Sequence, residues 1–154
     1  MKPEDRLYAL VTDAGIARAR KALSSALPLE RLIALKLARL DRVREEEKRL
    51  RPIGGGAAAG DIRHLEEELL ADYHALTRRR EDVQRLIDRI PDERHRAVLE
   101  MRYLEGLPFF RIAMNLHYDE RQIYRYHRAG LLHAALQMMQ AQGADPPFKD
   151  PGRP

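Results

Sequence analysis

The sequence has no cysteine and no tryptophan among its 154 residues, and only 6% of its residues are aromatic. Without thiols, disulfides and thiolate metal sites are excluded, and a reducing compartment such as the cytoplasm is expected. No apolar run approaches the roughly 18 residues that a membrane-spanning helix needs. Acidic residues follow Met1 closely, so we expect neither a secretory signal nor a membrane partner. Because β-branched residues are also sparse, the composition predicts an all-α protein.

Charge is what the sequence has in abundance. Charged residues make up 34% of the chain, with 28 Lys and Arg against 24 Asp and Glu. The resulting net charge of +4 permits a polyanionic partner such as nucleic acid without requiring one.

No arrangement of side chains predicts catalysis. The six histidines are His64, His74, His95, His117, His127 and His133. No two of them are three or four residues apart, so no helix face offers a pair to one metal ion. The consecutive Glu66, Glu67 and Glu68 point about 100° apart on a helix and cannot converge. We therefore expect no catalytic residue, no metal and no cofactor, and a protein that is not an enzyme. His127 and His133 are expected at polar positions of the last helix.

The first 53 residues are expected to be helical and to include a coiled-coil-like helix. Apolar positions within residues 29–50 alternate steps of three and four, the spacing of a coiled-coil seam. The charged residues Lys36 and Glu47 interrupt this seam. On an earlier helix, Arg18, Arg20 and Lys21 are expected to form a solvated face, with a phosphate contact as the alternative.

A glycine- and alanine-rich segment separates this region from a second long helix. Residues 54–60 predict a flexible linker, because consecutive glycines lose too much entropy in a helix. A helix over residues 61–90, with Asp61 as its N-cap, carries a second apolar seam. The two seams can pair as a helical hairpin within one chain or serve dimerisation, and the sequence leaves both open. Residues 143–154 are rich in proline and are expected to be a disordered tail.

Residues 91–142 predict three helices separated by two short breaks. Gly106 can end the first helix with a left-handed cap, and Pro108 can occupy the first turn of the second. Residues 117–119 form the second break, and Asp119 can cap the third helix. A short helix, a tight turn and a helix with a polar leading face are typical of a helix-turn-helix DNA-binding domain.

The exposed face of the third helix, with one residue of the second, supplies the candidate DNA-binding residues. They are Arg121, Gln122, Tyr124, Arg125, Arg128 and Arg111. Arg121, Gln122 and Arg125 are expected to contact base edges, because Arg and Gln have bidentate geometries that suit guanine and adenine. Tyr124, Arg128 and Arg111 are expected to hold phosphates. The alternative is that these are solubilising charges on a helical hairpin.

Phe109 and Phe110 begin the second helix of this domain. Two adjacent helical aromatics cannot share one narrow face, so only one of them is expected in the local core. The other can pack between this domain and the long helix or remain exposed as a partner contact, and we expect the interdomain packing.

Several short runs in this region match a known pattern. They are LEGL at residues 104–107, IA at 112–113 and YDERQIYR at 118–125. These runs resemble region four of bacterial sigma factors, and are most similar to phage and prophage regulators of the ArpU and RinA type. The resemblance covers roughly the final third of the chain. Pro108 stands where that group has a small polar N-cap, and His117 stands where it has a turn glycine.

The resemblance implies a sigma-region-four-like helix-turn-helix that binds double-stranded DNA and activates late genes with host RNA polymerase. Residues 91–142 hold seven arginines against six acidic residues. A monomer with so small an excess should bind DNA weakly, so we expect a homodimer, help from the polymerase, or both. Two alternatives stay open. One is a packaging adaptor similar to a small terminase subunit, which would form rings, and the other is a helical interaction protein with no DNA role.

Overall fold

A computed structural model describes Arg6, residues 8–54 and residues 58–141. The described residues are helical, with no strand among them, so the predicted all-α class is confirmed. The α-helices are α1 (Asp13–Leu23), α2 (Leu27–Leu50), α3 (Ala59–Asp88), α4 (Glu93–Leu99), α5 (Phe109–Leu116) and α6 (Glu120–Gln140). A short 3₁₀ turn, Arg51–Ile53, follows α2, and a π-helical turn, Glu100–Leu104, continues α4. Within the described ranges, no helix is long and apolar enough to cross a membrane.

Two of the predicted segments fall partly or wholly outside the described residues. The predicted tail, residues 143–154, lies outside them, as do residues 55–57 of the predicted linker. The last two linker residues, Ala59 and Gly60, belong to α3. Asp61 is therefore in the first turn of α3 rather than its N-cap.

The chain divides into two compact units. One combines the described residues up to Ala26 with those from Arg80 onward, and the other is Leu27–Arg79. The predicted division placed α1 with the coiled-coil-like helix instead. The difference arises because α1 packs against α6, where Ala19 and Leu23 are fully buried. The boundary between the units falls within α3.

In the unit Leu27–Arg79, α2 and the first part of α3 are joined by ion pairs. Lys36 Nζ lies 2.7 Å from Asp72 Oδ2 and 3.5 Å from Glu68 Oε2. Further along α2, Arg44 forms an ion pair of 2.7 Å with Glu66. Glu66 comes earlier in α3 than the partners of Lys36, so the order of the partners along α3 is the reverse of the order along α2. The predicted interruption of the seam at Lys36 is thus an ion-paired position. The buried apolar residues of this unit are Ile33, Leu40, Leu65, Leu69 and Leu76.

In the other unit, the larger core cluster lies among α1, the end of α3, α4 with its π-helical turn, and α6. Its fully buried members include Ile87, Leu99 and Leu131. At Gly130, α6 lies close to Leu99 of α4. A Cβ at this position would lie 2.9 Å from Leu99 Cδ1 and 3.0 Å from Leu99 Cγ. Glycine at 130 therefore lets α6 approach Leu99 at a distance that no larger residue allows without movement.

Local signals fix the beginning and end of the α4 region. Asp92 is the N-cap of α4 and accepts a hydrogen bond from Arg94 N at 2.8 Å. The Arg94 guanidinium also bonds this carboxylate, and the pKa of Asp92 is held well below its usual range. Gly106 has φ 72°, the left-handed conformation that its position predicts. Leu107 N donates to Met101 O at 2.9 Å and closes the end of the π-helical turn.

A smaller core cluster connects α4, α5 and α6. Its buried members are Val98, Ile112, Ala113, Ile123 and Tyr126. Partly buried side chains that pack against it include Phe109 and Leu116 of α5. This cluster holds the two helices that carry the candidate DNA-binding residues.

Candidate nucleic-acid interface

Three residues connect α5 to α6, and each has a defined part in the turn. His117 ends α5 with φ 58° and ψ 41°, a left-handed conformation, and it is the only non-glycine with positive φ in the described ranges. Tyr118 N donates to Ala113 O at 3.1 Å. Asp119 caps α6 as predicted, because its Oδ1 accepts from Gln122 N at 2.8 Å. At the other end of α5, Pro108 is the N-cap rather than a first-turn residue.

The buried and exposed faces of α6 separate clearly. On one face, Ile123, Tyr126, Leu131 and Ala134 are all buried. Arg121, Arg125 and Arg128 are all exposed. With 3.6 residues per turn, positions i, i+4 and i+7 fall within about 60° of one another and span about 10 Å along the axis. The three guanidinium groups therefore share one side of the first half of α6.

These three arginines differ from four others in the described part of the chain, which form ion pairs with carboxylates. Arg44, Arg51 and Arg94 each form an ion pair with a carboxylate. None of Arg121, Arg125 and Arg128 has a carboxylate or other hydrogen-bonding partner in the described part of the chain. Their charges are thus available to an external anion.

The remaining candidates are placed differently. Gln122 is half-buried and points about 100° away from Arg121. Tyr124 is 51% exposed and packs against Phe109 of α5, with the ring centroids 4.7 Å apart. Arg111 is exposed on α5 with its guanidinium 6.0 Å from the ring of Phe110, and no contact with the α6 arginines joins it to them in the described structure. Tyr124 and the three arginines therefore lie close together on α6, whereas Gln122 faces another side of that helix and Arg111 is on α5.

The adjacent phenylalanines of α5 have different environments. Phe109 packs on the smaller core, whereas Phe110 is 52% exposed. Met114, one turn after Phe110, is 64% exposed. The expected packing of the second phenylalanine between domains is therefore wrong. The helical period explains the outcome, since Phe109 shares the face of Ile112 and Ala113 while Phe110 shares that of Met114.

Phe109 contacts side chains on three sides. The Arg102 guanidinium lies 4.3 Å from its ring centroid. The ring also meets Tyr124 of α6 and, edge-on at 4.9 Å, His127. Phe109 therefore packs beneath the exposed face of α6, a role that the sequence did not predict.

His127 is a buried residue, whereas the sequence predicted that it lies at a polar position of α6. It is 9% exposed, and its Nε2 is 2.7 Å from the hydroxyl of Tyr103. Burial lowers the pKa of His127 to about 4, and the nearby charges of Arg20 and Arg102 act in the same direction. The charge of Arg20, a residue expected to be solvated, therefore contributes to the lowered pKa of His127. The signal was present in the sequence, because residue 127 lies four after Ile123 and four before Leu131 on the buried face.

His133 is likewise not fully exposed to solvent. It is half-buried, and the hydroxyl of Tyr8 lies within hydrogen-bonding distance of its Nε2. The ring of His95 lies 6.1 Å from that of His133. Among the described residues, no group of three or more potential ligands is arranged to hold a metal ion.

One family model matches the chain, over residues 61–134, slightly less than half of its length. Its description is "Protein of unknown function (DUF1492)". The matched region begins within the first turn of α3 and ends in α6, so it contains the α5–α6 turn and the arginines of α6. No curated protein and no solved structure matches the chain.

Proposed function

We propose that this protein is a sequence-specific DNA-binding transcription regulator of the phage or prophage type. In this proposal α5, the turn and α6 form a sigma-region-four-like helix-turn-helix, and α6 enters the major groove. The protein acts by binding, not by catalysis, in the cytoplasm, where it activates late genes together with host RNA polymerase. Helices α2 and α3 form the helical hairpin of the N-terminal part.

The observation that carries the proposal is the set of three unpaired arginines on one side of α6. Unpaired arginines also occur elsewhere on the described surface, as Arg89 does, so the position of these three supports the proposal more than the lack of a partner. Arg121, Arg125 and Arg128 follow directly after a tight turn on a helix whose opposite face is buried. Residues of the first turns of the second helix are those that reach base edges in helix-turn-helix proteins. An unpaired guanidinium at such a position suits the O6 and N7 atoms of guanine.

Within this proposal the arginines have different roles. Arg121 and Arg125 contact base edges, with Gln122 beside them for an adenine. Arg128, a turn further along, and Arg111 on α5 contact phosphates. Phosphate contacts set the position on the duplex, and base contacts set the sequence.

A homodimer is part of the proposal for a reason of charge. The small excess of positive charge over residues 91–142 gives a single copy few phosphate contacts. Two copies would double those contacts and recognise two half-sites one helical turn apart. A mass measurement in solution distinguishes this proposal from the packaging adaptor, because a ring of many subunits would favour the adaptor.

The test begins by selecting bound fragments from random or genomic DNA, and then compares three alanine variants on the selected site. Arg125→Ala should weaken binding by about 1–3 kcal/mol and relax the preference at one base pair. Arg128→Ala should weaken binding to all sequences alike and reduce the salt dependence by about one unit of slope. Arg89→Ala is the matched control, because Arg89, directly after α3, is exposed and also lacks a partner in the described structure.

The titrations should be made at two salt concentrations, on the selected site and on a scrambled duplex. If Arg125→Ala and Arg128→Ala bind as tightly as Arg89→Ala and the unaltered protein, the arginine face does not contact DNA and the proposal fails.

A further inference from the structure

Tyr124 differs from the arginines beside it, because its ring packs against another side chain. Its ring is tilted by 43° against Phe109, with the centroids 4.7 Å apart, yet half of the residue remains exposed. Within the described ranges its hydroxyl has no hydrogen-bond partner. The sequence predicts that this hydroxyl holds a phosphate, but a phosphate contact does not require a fixed ring.

The support beneath Tyr124 is itself fixed. Phe109 lies between the Arg102 guanidinium, at 4.3 Å, and the edge of His127, at 4.9 Å. His127 is buried and hydrogen-bonded to Tyr103 at 2.7 Å, so the side of this cluster away from solvent is packed into the core. The ring of Tyr124 therefore loses little further conformational entropy when it makes a contact.

The position of Tyr124 on α6 places this ring among the free guanidinium groups. It is three residues after Arg121 and four before Arg128, and neighbours on a helix surface have these spacings. A rigid apolar ring between cations favours a ligand that is an anion with an apolar group at a fixed place. In the major groove of DNA, the apolar group on a base edge is the C5-methyl of thymine.

We propose that the Tyr124 ring is a specificity-determining contact that recognises the C5-methyl group of a thymine. This inference rests on the proposed DNA-binding function. Phe109 is then a positioning residue, which holds the ring and does not itself touch the base. The preferred site should contain a thymine next to the base pairs contacted by Arg121 or Arg125.

The probe is the selected duplex with each thymine replaced in turn by deoxyuridine, which lacks only the methyl group. At one position, this replacement should weaken binding of the unaltered protein about fourfold, the equivalent of about 0.8 kcal/mol for one buried methyl group. Replacements at the other thymines should have little effect.

Three variants then connect the methyl group to the ring. Tyr124→Ala should bind thymine and deoxyuridine duplexes equally, because the ring is gone. Tyr124→Phe should keep the fourfold difference, because only the hydroxyl is lost. Phe109→Leu should retain the helix content but reduce the difference, because the ring of Tyr124 loses its support. Circular dichroism of each variant verifies that it folds.

Each contrary result has a separate meaning. If the unaltered protein has no preferred duplex, the proposed function fails and this inference fails with it. If it has a preferred duplex that lacks thymine, or no deoxyuridine replacement weakens binding, DNA binding stands and the thymine contact is overturned. If Tyr124→Phe weakens binding to all duplexes alike and no methyl dependence is seen, the hydroxyl contacts a phosphate and the ring does not recognise the base.

Discussion

Replacing Gly130 with alanine tests the close contact between α6 and Leu99 of α4. In a helix interior this change normally stabilises by about 0.8–1 kcal/mol, because alanine has the higher helix propensity. Here the new Cβ would lie 2.9 Å from Leu99 Cδ1 and 3.0 Å from Leu99 Cγ. Leu99 is fully buried, and Cγ is near its backbone, so the side chain cannot swing clear.

The two effects oppose each other, and the steric one should be larger. Overpacking of a core costs about 1–3 kcal/mol. After the propensity gain is subtracted, Gly130→Ala should lower the free energy of unfolding by about 1 kcal/mol. For a cooperative unit of about 60–100 residues, that corresponds to a decrease in Tm of roughly 4–8 °C.

Gly15→Ala is the matched control, since Gly15 lies in α1 of the same unit. Its added Cβ would meet Thr12 Oγ1 at 3.5 Å and Val11 Cγ1 at 3.7 Å, which are ordinary contacts. This variant should gain about 0.5–1 kcal/mol. Urea unfolding followed by circular dichroism measures both variants.

A double-mutant cycle identifies the cause. Leu99→Ala removes the atoms that the new Cβ would meet, so Gly130→Ala should be neutral or stabilising in that background. If Gly130→Ala alone raises the unfolding midpoint as much as Gly15→Ala does, Leu99 adjusts freely and the steric argument is refuted.

Three further predictions concern stability. Burial lowers the pKa of His127 from 6.5 to about 4, so the unfolded chain binds a proton at a higher pH than the folded chain does. The free energy of unfolding should therefore fall by up to about 3 kcal/mol as the pH decreases from 6.5 to about 4. Urea titrations of His127→Gln should show a smaller fall. Asp119→Ala should cost about 1 kcal/mol by thermal unfolding, whereas Asp119→Asn, which can still cap α6, should cost much less. A fragment of residues 91–142 lacks α1 and the core residues of Val83–Ile87. Its unfolding curve in denaturant should therefore be less steep than that of the full chain.

The sequence predicted the α5–α6 region well because the signals there are local. Gly106 and Asp119 each act within one turn of helix, through backbone conformation or a capping hydrogen bond, and such effects depend on few neighbours. The faces of α6 followed from its period of 3.6 residues. The exposure of Arg121, Arg125 and Arg128 was predictable for the same reason.

The rest depended on contacts between distant parts of the chain. The packing of α1 against α6 joins residues more than one hundred positions apart in sequence, and no local pattern identifies that partner. The burial of His127 is a different case. Its position on the buried face of α6 was predictable, but the polar partner that makes burial tolerable, Tyr103, lies on another helical segment.

The left-handed conformation of His117 limits which sequences can share this turn. At φ 58° a β-branched or bulky residue is strained, whereas glycine, asparagine, aspartate and histidine are tolerated. A related chain with valine, isoleucine or threonine at this position should therefore connect its two helices by a different turn, and present the residues equivalent to Arg121 and Arg125 at a different angle. The residue at 117 thus indicates whether an alignment through α6 compares side chains that occupy the same place.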